Sequence, residues 1–270
     1  MSIVDKELTT VAFCWRIERR DGVTVGLTSH DRDLAHDGLL YRAAPGMLPS
    51  AIILSDGFEA DGLDIEGALA SDAIGEEDLA AGRWDGAALS IFMIDWERPD
   101  EPAIALAAGE LGDVAIRGAG FQVELRGPAA LLERAVVEQT SPECRAELGD
   151  KRCRVDMAGR VRMACIAAAI GGAVFDLDGE APGDTFRFGR LRWIGGRNSG
   201  FGSRIAAVDG VRVTLCDAPP FPAATGDRVE IAEGCDKSLA TCSARFANAA
   251  NFRGEPHLPG MDLLTRYPGA

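Results

Sequence analysis

The sequence predicts a mostly β protein made of two barrel- or sandwich-like units with few short helices. Three observations predict it. Short segments alternate between apolar and polar residues, as in Val11, Phe13, Trp15 and Ile17, the pattern of a strand with one buried face. The chain spends 32 Gly and 13 Pro among 270 residues, which suits short strands joined by many turns. No internal repeat of solenoid length is present.

Taken in order, Thr9 to Arg19 and Val23 to Leu27 form two alternating runs around Arg20-Asp21-Gly22, a hairpin signal. Short strands are expected at Leu39 to Ala43 and Leu48 to Leu54. A helix is expected at Glu76 to Trp84, with Gly75 and Gly86 around it and acids in its first turn. Ala88 to Trp96 reads as a buried strand, followed by strands near Ile104 to Ile116 and Phe121 to Leu125. Pro128 to Val136 reads as a short helix with Pro in its first turn. Beyond lie strands at Val161 to Ile170, Ala173 to Leu177, Phe186 to Ile194, Arg204 to Val208, Val211 to Cys216 and Arg228 to Ala232. The tail from Glu233 reads as short-helical or irregular. The organisation expected is an N-terminal β domain over 1–137, a seam over 138–160, a second β domain over 161–232 and a C-terminal segment over 233–270.

Composition bounds the function. Apolar residues make up 47% of the chain, enough for real cores. No apolar run approaches the roughly 20 residues of a membrane-spanning helix, and the N-terminal residues lack the pattern of a secretory signal. A soluble protein made in the cytoplasm is expected. The formal charge is −14, and residues 55–115 carry 16 Asp and Glu against Arg83 and Arg98 alone. The rest of the chain is close to neutral. Tight nucleic-acid binding is not expected, because phosphate recognition needs clustered Lys and Arg.

Four of the seven cysteines form two pairs in polar loops: Cys144 with Cys153, and Cys235 with Cys242. Four thiolates held close together repel one another, and a metal centre makes such an arrangement favourable. Spacings of eight and six intervening residues are wider than the tight knuckles of structural zinc sites and suit the larger iron–sulfur clusters. On spacing alone, a cluster, a Cys₄ zinc site and four unrelated free thiols all stay open. Cys14, Cys165 and Cys216 sit in apolar strand sequence and are expected to be small buried hydrophobes.

The stretch from Gly234-Cys-Asp-Lys-Ser-Leu-Ala-Thr-Cys242 through Asn248-Ala-Ala-Asn-Phe-Arg-Gly-Glu255 to Gly260 resembles the C-terminal motif of the tail-tip family. That family comprises the baseplate hub proteins of gene transfer agents and siphophage-like prophages, with a more distant similarity to the tail tip protein L of phage lambda. Leu27-Thr-Ser-His-Asp-Arg-Asp-Leu34 resembles a second motif of the same family. The resemblance implies a structural, non-enzymatic hub at the end of a tail tube. It further implies a homotrimer that joins a distal tail protein to tip or fibre (megatron-like) proteins in the virion tail tip. It also implies an iron–sulfur cluster, [4Fe-4S] in type, on Cys144, Cys153, Cys235 and Cys242, binding the C-terminal segment. Arg145, Lys151, Arg152, Arg154 and Lys237 lie beside these ligands and read equally as offsets to the cluster's negative charge and as ordinary solvated loop charges. The acidic stretch reads first as a solvated surface that aids solubility; in such a hub, part of it would instead line the lumen, where like-charge repulsion keeps passing DNA from adhering. Two other functions compete: an iron–sulfur electron-transfer protein, marked by a reversible redox couple, and a zinc interaction module, marked by zinc without iron or sulfide.

Other residues read as structural. His30 with Asp31 and Asp33 is a polar turn rather than an acid–base site, and His257 is a packing residue in a Pro-bracketed loop. Gly195 to Gly202 is Gly-rich but lacks a Walker lysine and is expected to be a wide turn. Trp15, Trp84, Trp96 and Trp193 are expected to anchor cores or interfaces.

Overall fold

The computed structural model describes residues 10–44, 48–49, 62–68, 74–117, 120–127 and 137–258. The chain divides into two units, Met1–Val136 and Val137–Ala270. The helix expected at Pro128 to Val136 and most of the strand expected at Leu48 to Leu54 lie outside the described residues.

The first unit is a nine-stranded sheet. Its strands are β1 (Val11–Glu18), β2 (Thr24–Thr28), β3 (Leu34–His36), β4 (Leu39–Ala43), β5 (Leu48–Pro49), β6 (Gly62–Ala68), β7 (Ala88–Asp95), β8 (Ile104–Arg117) and β9 (Gly120–Arg126). They lie in the order β3-β4-β2-β1-β7-β8-β9-β6-β5. The expected β1–β2 hairpin forms with Trp15 opposite Leu27, and Gly22 takes the positive φ its turn needs. β3 and β4 join through Asp37 and Gly38, both at positive φ, as a two-residue type I′ turn requires. β4 then pairs parallel to β2.

Helix α1 (Glu76–Ala80) stops short of the expected Trp84. Gly82 at φ +72° lets its N–H reach Leu79 while Arg83 N–H reaches Asp78. These two bonds close the helix in a Schellman turn. Trp84 still enters the core with Trp15, Leu27, Leu89 and Ile91. Trp96 does not: it is 37% exposed and packs beside His30, ring centroids 5.2 Å apart.

The second unit is a closed six-stranded barrel. Its strands are β10 (Val161–Gly171), β11 (Val174–Leu177), β12 (Arg190–Trp193), β13 (Gly202–Asp209), β14 (Arg212–Leu215) and β15 (Arg228–Ala232), in the order β10-β11-β14-β13-β12-β15. Every pairing is antiparallel, and β15 closes the ring onto β10. Period-two alternation fills the interior with Ile166, Phe175, Leu191, Trp193, Ile205, Val213, Val229 and Ile231, with Phe175 edge-on to Trp193.

The same alternation corrects two cysteine expectations. Cys165 lies between inward Ala164 and Ile166, and Cys216 follows inward Leu215. Cys165 is therefore half-buried and Cys216 exposed, while Cys14 is fully buried as expected. The strand expected over Phe186 to Ile194 is also shorter. Asp184–Phe186 forms a 3₁₀ turn, Phe188 takes φ +61°, and pairing starts only at Arg190. Helix α2 (Leu239–Phe246) follows the barrel, and Ser238 caps it by accepting the Thr241 N–H.

Candidate metal centre

The four paired cysteines all lie in the second unit, on the two chain segments that flank the barrel. Cys144 and Cys153 precede β10; Cys235 leaves β15, and Cys242 sits in the second turn of α2. Strands β10 and β15 are neighbours, with Val161 opposite Ala232. The segments before and after them therefore emerge side by side, which is how a gap of about eighty residues between Cys153 and Cys235 is closed.

Backbone bonds hold the two segments together. Cys144 N–H donates to the Lys237 carbonyl at 2.9 Å and Arg145 N–H to the Arg253 carbonyl at 3.0 Å. Ser141 N–H donates to Glu255 Oε2, and both Glu255 oxygens accept from the Arg145 guanidinium at 2.6 and 2.8 Å. That fork holds the Glu255 carboxyl well below its ordinary value, at about 2, with the Arg145 bond as the main cause and the Ser141 N–H next. Two glycines permit the closest approaches. A Cβ on Gly234 would collide with the Arg187 carbonyl and the Gly189 nitrogen, and one on Gly254 with the Glu143 carbonyl.

The sulfurs meet a consistent set of donors. Arg253 N–H points at Cys144 Sγ at 3.4 Å, the Lys237 N–H bonds the Cys235 sulfur, and Asn248 Nδ2 lies 3.8 Å from Cys153 Sγ. Asn248 ties the site across the segments, since Nδ2 also donates to the Cys153 carbonyl at 2.7 Å and its own carbonyl accepts from Cys242 Sγ at 3.4 Å. Burial first, and then the Cys235, Cys144 and Cys153 thiols, pushes the Cys242 thiol up. Burial likewise raises Cys235, where Asp236 and Cys144 add to it. The four groups are thus near enough to act on one another electrostatically. Among the described residues, no three His, Cys, Asp or Glu side chains converge on a point that one metal ion could occupy.

Three of the five cations beside the ligands have other partners. Arg145 binds Glu255 and Glu138, Arg152 binds Glu138 and lies 3.6 Å from Asp150, and Lys237 reaches the Ala146 carbonyl and Glu147. Asn248, Glu255, Gly234 and Gly254 were not individually predicted. The Asn-rich, Gly-punctuated run around 248–255 is the signal that marks all of these but Gly234. His257, expected to be a packing residue, is instead exposed, while the His30 turn and the Gly-rich stretch are as expected. His30 sits in a turn 3.2 Å from Asp31, and Gly195 to Gly202 connects β12 to β13.

Fold and site together define a mostly β protein whose C-terminal segment is bonded to the segment before β10, with four neighbouring cysteines on the two. Residues 2–156 match the family described as "Baseplate hub protein, N-terminal attachment domain", and the chain belongs to the baseplate hub protein family. Residues 184–262 match the family described as "Phage conserved hypothetical protein BR0599". The two cysteine pairs therefore fall in different family matches. Among solved structures, the chain is similar to one from the "Virion of native gene transfer agent (GTA) particle". The two are 35% identical over 98% of this chain and 94% of that one, with a TM-score of 0.86. No curated protein matches the chain.

Proposed function

We propose that this chain is the structural hub of a phage-like tail baseplate, of the gene transfer agent or siphophage kind. The observation that carries the reading is the likeness, over nearly the whole length of both chains, to a component of a gene transfer agent virion. In this reading the protein is made in the cytoplasm and built into the tail tip. Its copies form a homotrimer between the distal tail protein and the tip or fibre proteins, and part of its acidic first unit lines the DNA exit path. The chain acts by holding its neighbours in place, not by catalysis.

Cys144, Cys153, Cys235 and Cys242 are proposed to hold an iron–sulfur cluster, [4Fe-4S] in type. Its contribution is structural: bonds from both flanking segments to one inorganic core. Three features of the chain support this. The donor set is four cysteines with no histidine between the members of either pair. N–H groups from Arg253, Lys237 and Asn248 are aimed at three of the sulfurs, the arrangement that stabilises thiolates and tunes clusters. The pairing of β10 with β15 brings the segments that carry the two cysteine pairs side by side. Closing a long loop restricts the unfolded chain and so favours the folded one.

The test is anaerobic purification with visible absorption, iron and acid-labile sulfide measured per chain. The expected result is a brown protein that loses colour, iron and sulfide in Cys235→Ala and in Cys242→Ala. Hydrogen exchange in those variants should rise over 233–258 and not in the barrel strands. A colourless protein with stoichiometric zinc overturns the cofactor and keeps the ligands. A metal-free chain with the same protection overturns the centre altogether.

A further inference from the structure

The outer face of the barrel carries a charge arrangement that the hub reading does not use. Strand register places two rows of outward side chains side by side. One row runs Val161, Ala232, Arg190, Arg204, and the next Met163, Glu230, Arg192, Gly202. Arg190 and Arg204 are therefore directly opposed on adjacent antiparallel strands, a like-charge pairing that destabilises a sheet. Arg190 is settled over Gly202, where a Cβ would stand 3.2 Å from its Nε. These strands form the floor of a cavity of about 290 Å³ whose rim includes Arg190, Arg192, Arg204, Lys237, Glu147 and Phe188.

The cations in this cleft exceed the acids engaged with them. Glu147 is shared between Arg204 at 2.9 Å and Lys237 at 3.2 Å, and its side chain is 66% exposed. Such an exposed pair is weak and readily exchanged for a better carboxylate. Glu233 is taken by Arg160 and Arg245. Arg190 and Arg192 have no hydrogen-bond or ion-pair partner among the described residues. The surround is mixed: Met163 is 48% and Phe188 50% exposed, and apolar groups beside arginines are the composition of a protein interface.

The charge of the chain indicates what fits. Residues 1–136 hold 25 Asp and Glu against 11 Lys and Arg, while residues 137–270 hold 17 of each. The whole net charge of −14 thus belongs to the first unit, and in an assembly of identical copies each cleft meets acid-rich neighbours. In α1, Glu76 and Glu77 are adjacent and exposed. A DNA strand is a poor occupant, because Glu147 and Glu230 stand in the same face and the protein as a whole repels phosphate.

We infer that the Arg190–Arg192–Arg204 cleft is a contact between copies of this chain, receiving the acidic turn at Glu76 and Glu77 of a second copy. This deepens the homotrimer reading of the hub and rests on it. The experiment is sedimentation of the anaerobically purified full chain at low and high salt. Wild type is compared with Arg190→Glu/Arg192→Glu and with Glu76→Lys/Glu77→Lys, and hydrogen exchange confirms that the barrel and sheet stay folded. The expected result is a salt-sensitive trimer that each double variant weakens by about tenfold or more, the scale of close charge pairs across an interface. Mixing the two variants should restore association in part, since a ring of three built from both can match charge at two of its three contacts. A trimer that persists in both variants overturns the cleft contact and leaves the trimeric hub standing. Weakening by the arginine variant alone overturns the assigned occupant. A wild-type chain that stays monomeric at every salt concentration overturns both.

Discussion

At the scale of single residues, the site depends on groups that are not ligands. Glu255 accepts from the Ser141 N–H and from both arms of the Arg145 guanidinium, so the folded state holds its proton less tightly than the unfolded chain does. Its carboxyl sits at about 2 against an ordinary 4.5. A depressed carboxyl adds stability that is complete above about pH 4.5 and is lost as pH falls through about 2. Glu255→Gln should therefore melt at a lower temperature than the parent at neutral pH, with the gap closing between pH 4.5 and 2. A gap that does not change over that window would remove Glu255 from the account. The sequence located the cysteines but not this clamp. Glu255 and Arg145 are 110 residues apart, and nothing in the local sequence of either points to the other. Cysteine spacing was legible because four thiols in polar loops are themselves unusual. Whether the nearby Arg and Lys residues serve the ligands was not legible, since a cation beside a ligand can equally turn to the nearest carboxylate, as Arg145, Arg152 and Lys237 do.

At the scale of elements, the strands that survive comparison with the sequence are those with a clean period of two. β15 lies where its alternation puts it, with Val229 and Ile231 inside. Elements whose bounds shifted were ended by backbone geometry. Gly82 stopped α1, and Phe188 with close-packed Gly189 delayed β12. β3 is three residues long, too short for a periodic signal, yet the Asp37-Gly38 pair that joins it to β4 is a hairpin signal in its own right. Gly234 gives the sharpest test at this level, because it lets β15 pass against the chain entering β12. Gly234→Ala forces a methyl into two backbones and should cost about 3 kcal/mol, the upper range for overpacking. Gly171→Ala, whose Cβ would meet open space without a positive φ, should stay within about 0.5 kcal/mol. Denaturant midpoints of the two variants separate these outcomes, and equal midpoints would show that the crossing has slack.

At the scale of the whole molecule, charge and topology divide the labour. The first unit carries the net charge, and the second carries the four paired cysteines and the arginine cleft. Two β units were readable from the rhythm of strands and turns. Strand order was not, because β15 reaches its place between β12 and β10 only through pairings far apart in sequence. Fold class is a local property of the chain, whereas barrel closure is a global one. If the acidic first unit faces the exit path, its charge keeps the DNA surface from sticking during delivery. Replacing several Asp and Glu of residues 55–115 by Asn and Gln should slow delivery in a particle assay without loss of assembled particles. Delivery at the parental rate would sink the lining role.

The neighbouring placement of β10 and β15 also has a mechanical consequence. Tension applied between residue 137 and residue 258 would pull the two chain ends apart at one rim, the geometry that unzips a strand pair bond by bond. The contacts joining the 141–153 and 235–255 segments lie across that rim, ahead of the first β10–β15 pair. Load must break this clasp before it can reach the barrel, so under tension the cysteine site opens ahead of the hydrophobic interior.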